Sequence, residues 1–146
     1  MRVLAELLQA YPYVVPLTTR WADNDVYGHV NNVTYFAYFD TAVNRLLIHH
    51  GGLDIARGEV VGLVVESQCH FLAPIAYPES VRVGVRIDKL GDRAVTYGVA
   101  LFRETGDTAL AQGHVVHVFV DRDTRKAVPI PAALRATLKQ HTAPPK

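Results

Sequence analysis

The 146-residue chain is poor in the features that most often announce an activity. It has one cysteine, Cys69, which excludes an internal disulfide and suits a reducing compartment. Its formal net charge is +1, so it lacks the strong basic field that would draw in a nucleic acid. Long apolar runs are missing too. The N-terminal stretch MRVLAELLQAYP carries one basic residue, and Glu6 and Gln9 interrupt its apolar positions. A secretory leader needs a longer apolar centre, and a membrane span needs about 20 apolar residues. The expectation is a cytoplasmic protein with no nucleic-acid partner and no membrane span. There is no HExxH or CxxC pattern, and His114 and His117 have no further ligands at metal spacing, so no metal is expected. The Gly-x-Ser-x-Gly turn that carries a serine nucleophile is also absent.

What is present is an ordinary globular composition, 49% hydrophobic and 20% charged, without repeats or low-complexity segments. A single domain over residues 1–146 follows from this length. Residues 3–10 have the spacing for one or two helical turns. Tyr13 to Trp21 reads as a first strand, with Pro16 pointing to a sheet edge. Val33 to His50 is the clearest helix, with Phe36, Phe39, Val43, Leu46, Leu47 and His50 at three–four spacing. Tyr35, Ala42 and Ile48 widen that apolar surface, which implies cover on more than one side. After Gly58 the period changes to two. Strands are predicted over Val60–Leu72, Ser80–Leu90, Ala94–Glu104 and Ala109–Asp121. The breaks Pro74–Glu79, Gly91–Asp92 and Thr105–Thr108 are short enough for hairpins. The tail from Pro131 to Gln140 could add a short helix, and Thr142 to Lys146 is expected to fray. About 18 helical residues make a rod of roughly 27 Å, and each strand spans roughly 35 Å. These matched lengths predict an α+β architecture, a long central helix wrapped by a curved antiparallel sheet of about five strands.

The unusual stretch is Arg20 to Asp40, where the polar turn WADNDVYGHVNN empties into that apolar helix. Amides at a helix N-terminus are preorganised donors for a developing oxyanion. A carboxylate a few residues earlier can activate water or attack directly. Asp23 and Asp25 both stand in that place. Asp is also a common turn former, Asn31 and Asn32 are favoured helix caps, and Gly28 supplies a backbone conformation that other residues resist. Glu66 is read in two ways, as a second acid or base near the helix or as an outward-facing strand residue. Cys69 and His70 are adjacent on a strand, so they face opposite ways and form no dyad.

The order of strand, polar turn, long helix and four strands resembles the hotdog fold. The pattern Asp-x-Asp-x-x-Gly-His-Val-Asn-Asn resembles the active-site segment of acyl-CoA thioesterases of the 4-hydroxybenzoyl-CoA thioesterase type. It is also similar to that of plant acyl-carrier-protein thioesterases. Cys69 to Pro74, with Tyr77-Pro78-Glu79, agrees with the same family, and the likeness runs from about Tyr13 to Asp121. The resemblance implies that Asp25 is the catalytic carboxylate and that the amides around Asn32 and Val33 hold the oxyanion. It places His29 and Asn31 at the His-x-Asn positions of the site. Gly28, Val33 and Glu66 are the candidate substrate contacts. The implied substrate is an acyl-CoA or acyl-carrier-protein thioester, with no cofactor, coenzyme A entering as part of the substrate. The implied assembly is a homodimer or homotetramer with the site at a subunit interface. Two other classes fit parts of the pattern, a hydratase or dehydratase of acyl thioesters and a non-catalytic acyl-binding module.

Overall fold

The period-two segments after Gly58 become the body of the molecule. In a computed structural model, which describes residues 3–143, they form β2 (Val60–Phe71), β3 (Ser80–Leu90), β4 (Ala94–Arg103) and β5 (Ala111–Asp121). With β1 (Tyr13–Thr18) they make one antiparallel sheet in the order β1-β3-β4-β5-β2. Pro16 lies on β1, at the sheet edge, where a missing amide donor is tolerated. The helix begins as α1 (Asn32–Arg45) and continues through a π-helical segment, Leu46–His50. Phe39, Ala42, Val43, Leu46 and Leu47 are fully buried against the inward-facing residues Val83, Val85, Tyr97, Val99 and Phe119. A short helix, α2 (Ala132–Lys139), adds Leu134 and Leu138 to the same core.

Several expectations need correction. Gly91–Asp92 and Thr105–Thr108 do join neighbouring antiparallel strands. Pro74–Glu79 does not, because β2 pairs with β5 while β3 pairs with β1 and β4. That segment crosses instead past the start of α1, where the Ile75 carbonyl accepts the Val30 amide at 2.8 Å. The N-terminal helical turns reduce to one 3-10 turn, Leu8–Ala10, because Leu7 bridges Thr108 and the Glu6 carbonyl accepts the Ala109 amide. The first strand stops at Thr18, and Trp21–Asp23 form a 3-10 turn closed by the Asp23 side chain. His50 is exposed rather than part of the buried stripe, with its ring against those of Tyr13 and His141. Of the tail expected to fray, Thr142 bridges Ile87, and residues 144–146 lie outside the described residues.

The two ends of the helix differ in kind. At its C-terminal end Gly51 is needed for close approach: a Cβ there would stand 2.4 Å from Leu134 Cδ1 and 2.7 Å from the Leu47 carbonyl oxygen. At its N-terminal end the chain stays open, and the polar turn sits there.

Candidate active site

Asp23 builds the turn. Its carboxylate accepts the Tyr38 hydroxyl at 2.6 Å, the Arg20 amide at 2.9 Å and Arg20 Nε at 3.1 Å, and the side chain is only 2% exposed. Burial works to raise its pKa, but the donors from Tyr38 and Arg20 outweigh this and hold it below the usual carboxylate value. Tyr38 is pushed the other way, by burial and by its charged partner. The Asp23 carbonyl then accepts the Asn31 amide at 2.9 Å, fixing where the helix starts. Asp23 is thus the loop anchor, tied to the second turn of α1.

Asp25 sits in the segment this anchor leaves protruding. Asn24 and Val30 bridge, the Asp25 amide donates to the His29 carbonyl at 2.9 Å, and Gly28 closes the turn at φ 84°. A Cβ at Gly28 would meet nothing, so the glycine is there for its left-handed backbone. The Asp25 carboxylate accepts the Tyr27 amide at 2.8 Å through Oδ1, and Asn31 Nδ2 lies 3.4 Å from Oδ2. Asn31 has two tasks, since its Oδ1 accepts the Val33 amide at 2.9 Å and caps the helix. One amide side chain therefore ties the carboxylate to the helix start.

The oxyanion expectation is narrowed here. The Val33 amide is occupied by the Asn31 cap, and the Val33 side chain is exposed. The Asn32 amide has no hydrogen-bond partner among the described residues. Asp25, His29, Asn31 and Asn32 all line one open cavity of about 460 Å³. Its apolar end is formed by Tyr35 and the run Phe71–Pro74, with the Tyr35 and Phe71 rings edge to face at 5.0 Å. Gly28 does not line this cavity but belongs to a neighbouring groove.

Glu66 stands elsewhere. A bulge between Val64 and Glu66 shifts the alternation of β2, so that Cys69 packs on the core while Glu66, Gln68 and His70 face outward. Glu66 is 61% exposed and pairs with His114 Nε2 at 2.6 Å. Within one chain it is not a contact of this cavity. Burial raises the Cys69 thiol to about 11, which leaves it protonated and unreactive near neutral pH. The cavity residues not proposed as site residues from sequence include Tyr27 and Val30 of the turn and the run Phe71–Pro74 that ends β2 and enters the crossover. The signal was available in the CHFLAP stretch, but only the observed strand order brings it to the helix.

Comparison with known proteins agrees with this geometry. The model of the thioesterase-like superfamily matches residues 19–138. PA5185 of Pseudomonas aeruginosa strain PAO1 is 50% identical, with a TM-score of 0.94 over 95% of this chain and 97% of that one. The Bacillus subtilis protein YsmA is 25% identical over 82% of this chain and 80% of its own length. Slr0204, a 1,4-dihydroxy-2-naphthoyl-CoA thioesterase from Synechocystis, is 18% identical and shares the fold, with a TM-score of 0.78 over 87% and 95% of the two chains. The sheet wrapped on one long helix is a hotdog fold. The chain belongs to the thioesterase-like superfamily.

Proposed function

We propose that this protein hydrolyses an acyl-CoA thioester to the free acid and coenzyme A. Family membership supports thioester hydrolysis in general, and one observation carries the finer reading: a carboxylate residue, Asp25, lines the same cavity as Asn32, whose helix-start amide has no partner among the described residues. The Asn32 N–H donates to the carbonyl oxygen as negative charge grows there, with the helix dipole behind it. Asp25 takes the proton of the attacking water, or adds to the carbonyl itself and is freed by water in a second step. The carbon–sulfur bond breaks and the electron pair leaves on sulfur. A thiolate with a conjugate-acid pKa near ~8.5 leaves without a strong acid, so the reaction needs no metal and no cofactor. Asn31 orients Asp25, and His29 lies on the cavity wall, in reach of the thioester or its water. The test is thiol release from a panel of short, branched, long and aromatic acyl-CoAs and an acyl-carrier protein. Expected is turnover of at least one CoA thioester that Asp25→Asn removes; full turnover by a folded Asp25→Asn protein would refute the assignment.

The proposal includes a homodimer joined through β2. This strand is 12 residues long, lies at the sheet edge with one side unpaired, and leaves Val64, Val65 and Phe71 exposed. A long apolar edge left unpaired invites aggregation, and a second copy would cover it. Phe71 also lines the cavity, so such a partner would stand beside the site. Among the described residues no helix is long and apolar enough to cross a membrane. A CoA substrate and a lone free thiol fit a cytoplasmic enzyme. Sedimentation of the purified protein tests the assembly, and a monomer at micromolar concentration would refute it.

A further inference from the structure

A thioester carbonyl carries two arms, an acyl group and a thiol chain, and any site that holds the carbonyl must accommodate both. Two grooves meet at the Asp25 turn. The first, of about 460 Å³, is lined by Asn32 and extends over Tyr35 and Phe71. The second, of about 610 Å³, extends over Val26 and Gly28 to Trp21 and Ala22. Asp25, Tyr27 and Asn31 line both. The first reaches the buried Tyr35 ring, 2% exposed, which suits an acyl group that packs against the core. The second has an exposed lining, with Trp21 76% and Val26 95% exposed, which suits a chain that leaves toward solvent.

The geometry points to this second groove as the site for the phosphopantetheine arm of the thiol, with Trp21 as its aromatic wall. The inference rests on the thioester reading above and adds where the leaving thiol lies. Trp21 has a fixed place: it belongs to the turn closed by Asp23, and its ring meets Tyr77 edge to face at 6.0 Å. Asn24 supplies a polar partner. Its Oδ1 accepts the Tyr77 amide at 3.0 Å, which leaves Nδ2 unpartnered among the described residues and free to donate to an amide carbonyl of the arm. An apolar wall with one amide donor matches a chain of methylenes interrupted by amides. Arms attached to coenzyme A and to a carrier protein share this chemistry.

The sequence contains one tryptophan, so its fluorescence reports this groove alone. Expected is a saturable change in Trp21 emission on titration with coenzyme A and with pantetheine, and none with adenosine 3′,5′-bisphosphate. In turnover, Trp21→Ala should lower kcat/KM about tenfold more for an acyl-CoA than for the same acyl group on N-acetylcysteamine, and Trp21→Phe should recover most of the difference. A variant that merely loosens the turn would lower both equally. An acyl-carrier-protein substrate showing the same loss assigns the effect to the shared arm; a loss confined to acyl-CoA assigns it to the nucleotide half and overturns the inference. The inference also fails if coenzyme A binds by calorimetry while Trp21 emission stays constant. It fails equally if Trp21 is shielded from acrylamide in the free dimer and exposed only on dissociation, since a second copy then occupies the groove. Hydrolysis without a Trp21 response would leave the proposed function standing and remove this one. A Trp21 response without hydrolysis of any thioester would do the reverse.

Discussion

The two ends of α1 are built from opposite materials. Its C-terminal end is close-packed: a π-helical turn leads into Gly51, and Leu134 of α2 packs where a Cβ would have stood. Its N-terminal end is left open, with an Asn32 amide that has no partner among the described residues, a carboxylate two residues beyond a buried anchor, and two grooves. The same contrast is repeated in miniature by the two aspartates. Asp23 is buried and surrounded by donors, while Asp25 faces a cavity and is held by the Tyr27 amide and, more loosely, by Asn31. Asp23 and Asn31 tie the turn to the helix, through Tyr38 and through the Val33 amide.

Perturbations of the middle of the molecule should leave that contrast intact while lowering stability, and the largest comes from acid. His117 is buried on β5 with its Nδ1 3.0 Å from the Tyr97 hydroxyl, and burial lowers its pKa from 6.5 to about 4. Between those values the unfolded chain binds a proton that the folded one refuses. Stability is complete above pH 6.5 and should fall by up to about 3 kcal/mol as the pH drops to 4, read by urea unfolding at several pH values. His117→Gln should flatten that dependence. Next in size is Asn31→Ala at the open end, expected to lower thiol release roughly 10²-fold by releasing Asp25. Its stability cost should be only about 1 kcal/mol, the worth of a helix cap. At the close-packed end Gly51→Ala should give the converse, a loss of about 2 kcal/mol from overpacking on Leu134, with turnover retained below the melting temperature. Equal losses of turnover from both would erase the distinction between the ends.

The smallest effect is expected on the outer face. Glu66→Gln weakens an exposed pair with His114 and should change stability by less than about 0.5 kcal/mol. A tenfold loss of turnover would instead show that this face reaches the cavity of a second subunit.

Much of this was legible in the sequence because local chemistry determines it. The three–four spacing from Phe36 to Leu47 yields the buried rod, and β3 begins and ends at Ser80 and Leu90 as its alternation requires. Asp25 drew notice through its place before the buried helix together with the likeness of its turn to a thioesterase motif, and it lines the cavity beside Asn31 and Asn32. Where the reading went astray, non-local pairing decided the outcome. Nothing near Pro74–Glu79 says that β2 joins β5 across the sheet, yet that pairing turns a presumed hairpin into the wall of the site. The bulge after Val64 is equally silent in the sequence, and it turns Glu66 from the helix face to the outer face. The exposed apolar turn around Trp21 and Val26 stood in the sequence, but without coordinates it reads as loop.

The most direct test measures thiol release and thermal unfolding on the same preparations of Asp25→Asn and Asp23→Asn. Asp25→Asn should lose about 10²- to 10⁴-fold in kcat/KM, the usual worth of a general base, while melting as the parent does. Asp23→Asn should melt earlier, since a buried charge with three donors is replaced by a neutral group, and should keep most of its turnover well below the transition. The reverse pattern, or full turnover by folded Asp25→Asn, would contradict the division of labour between the two.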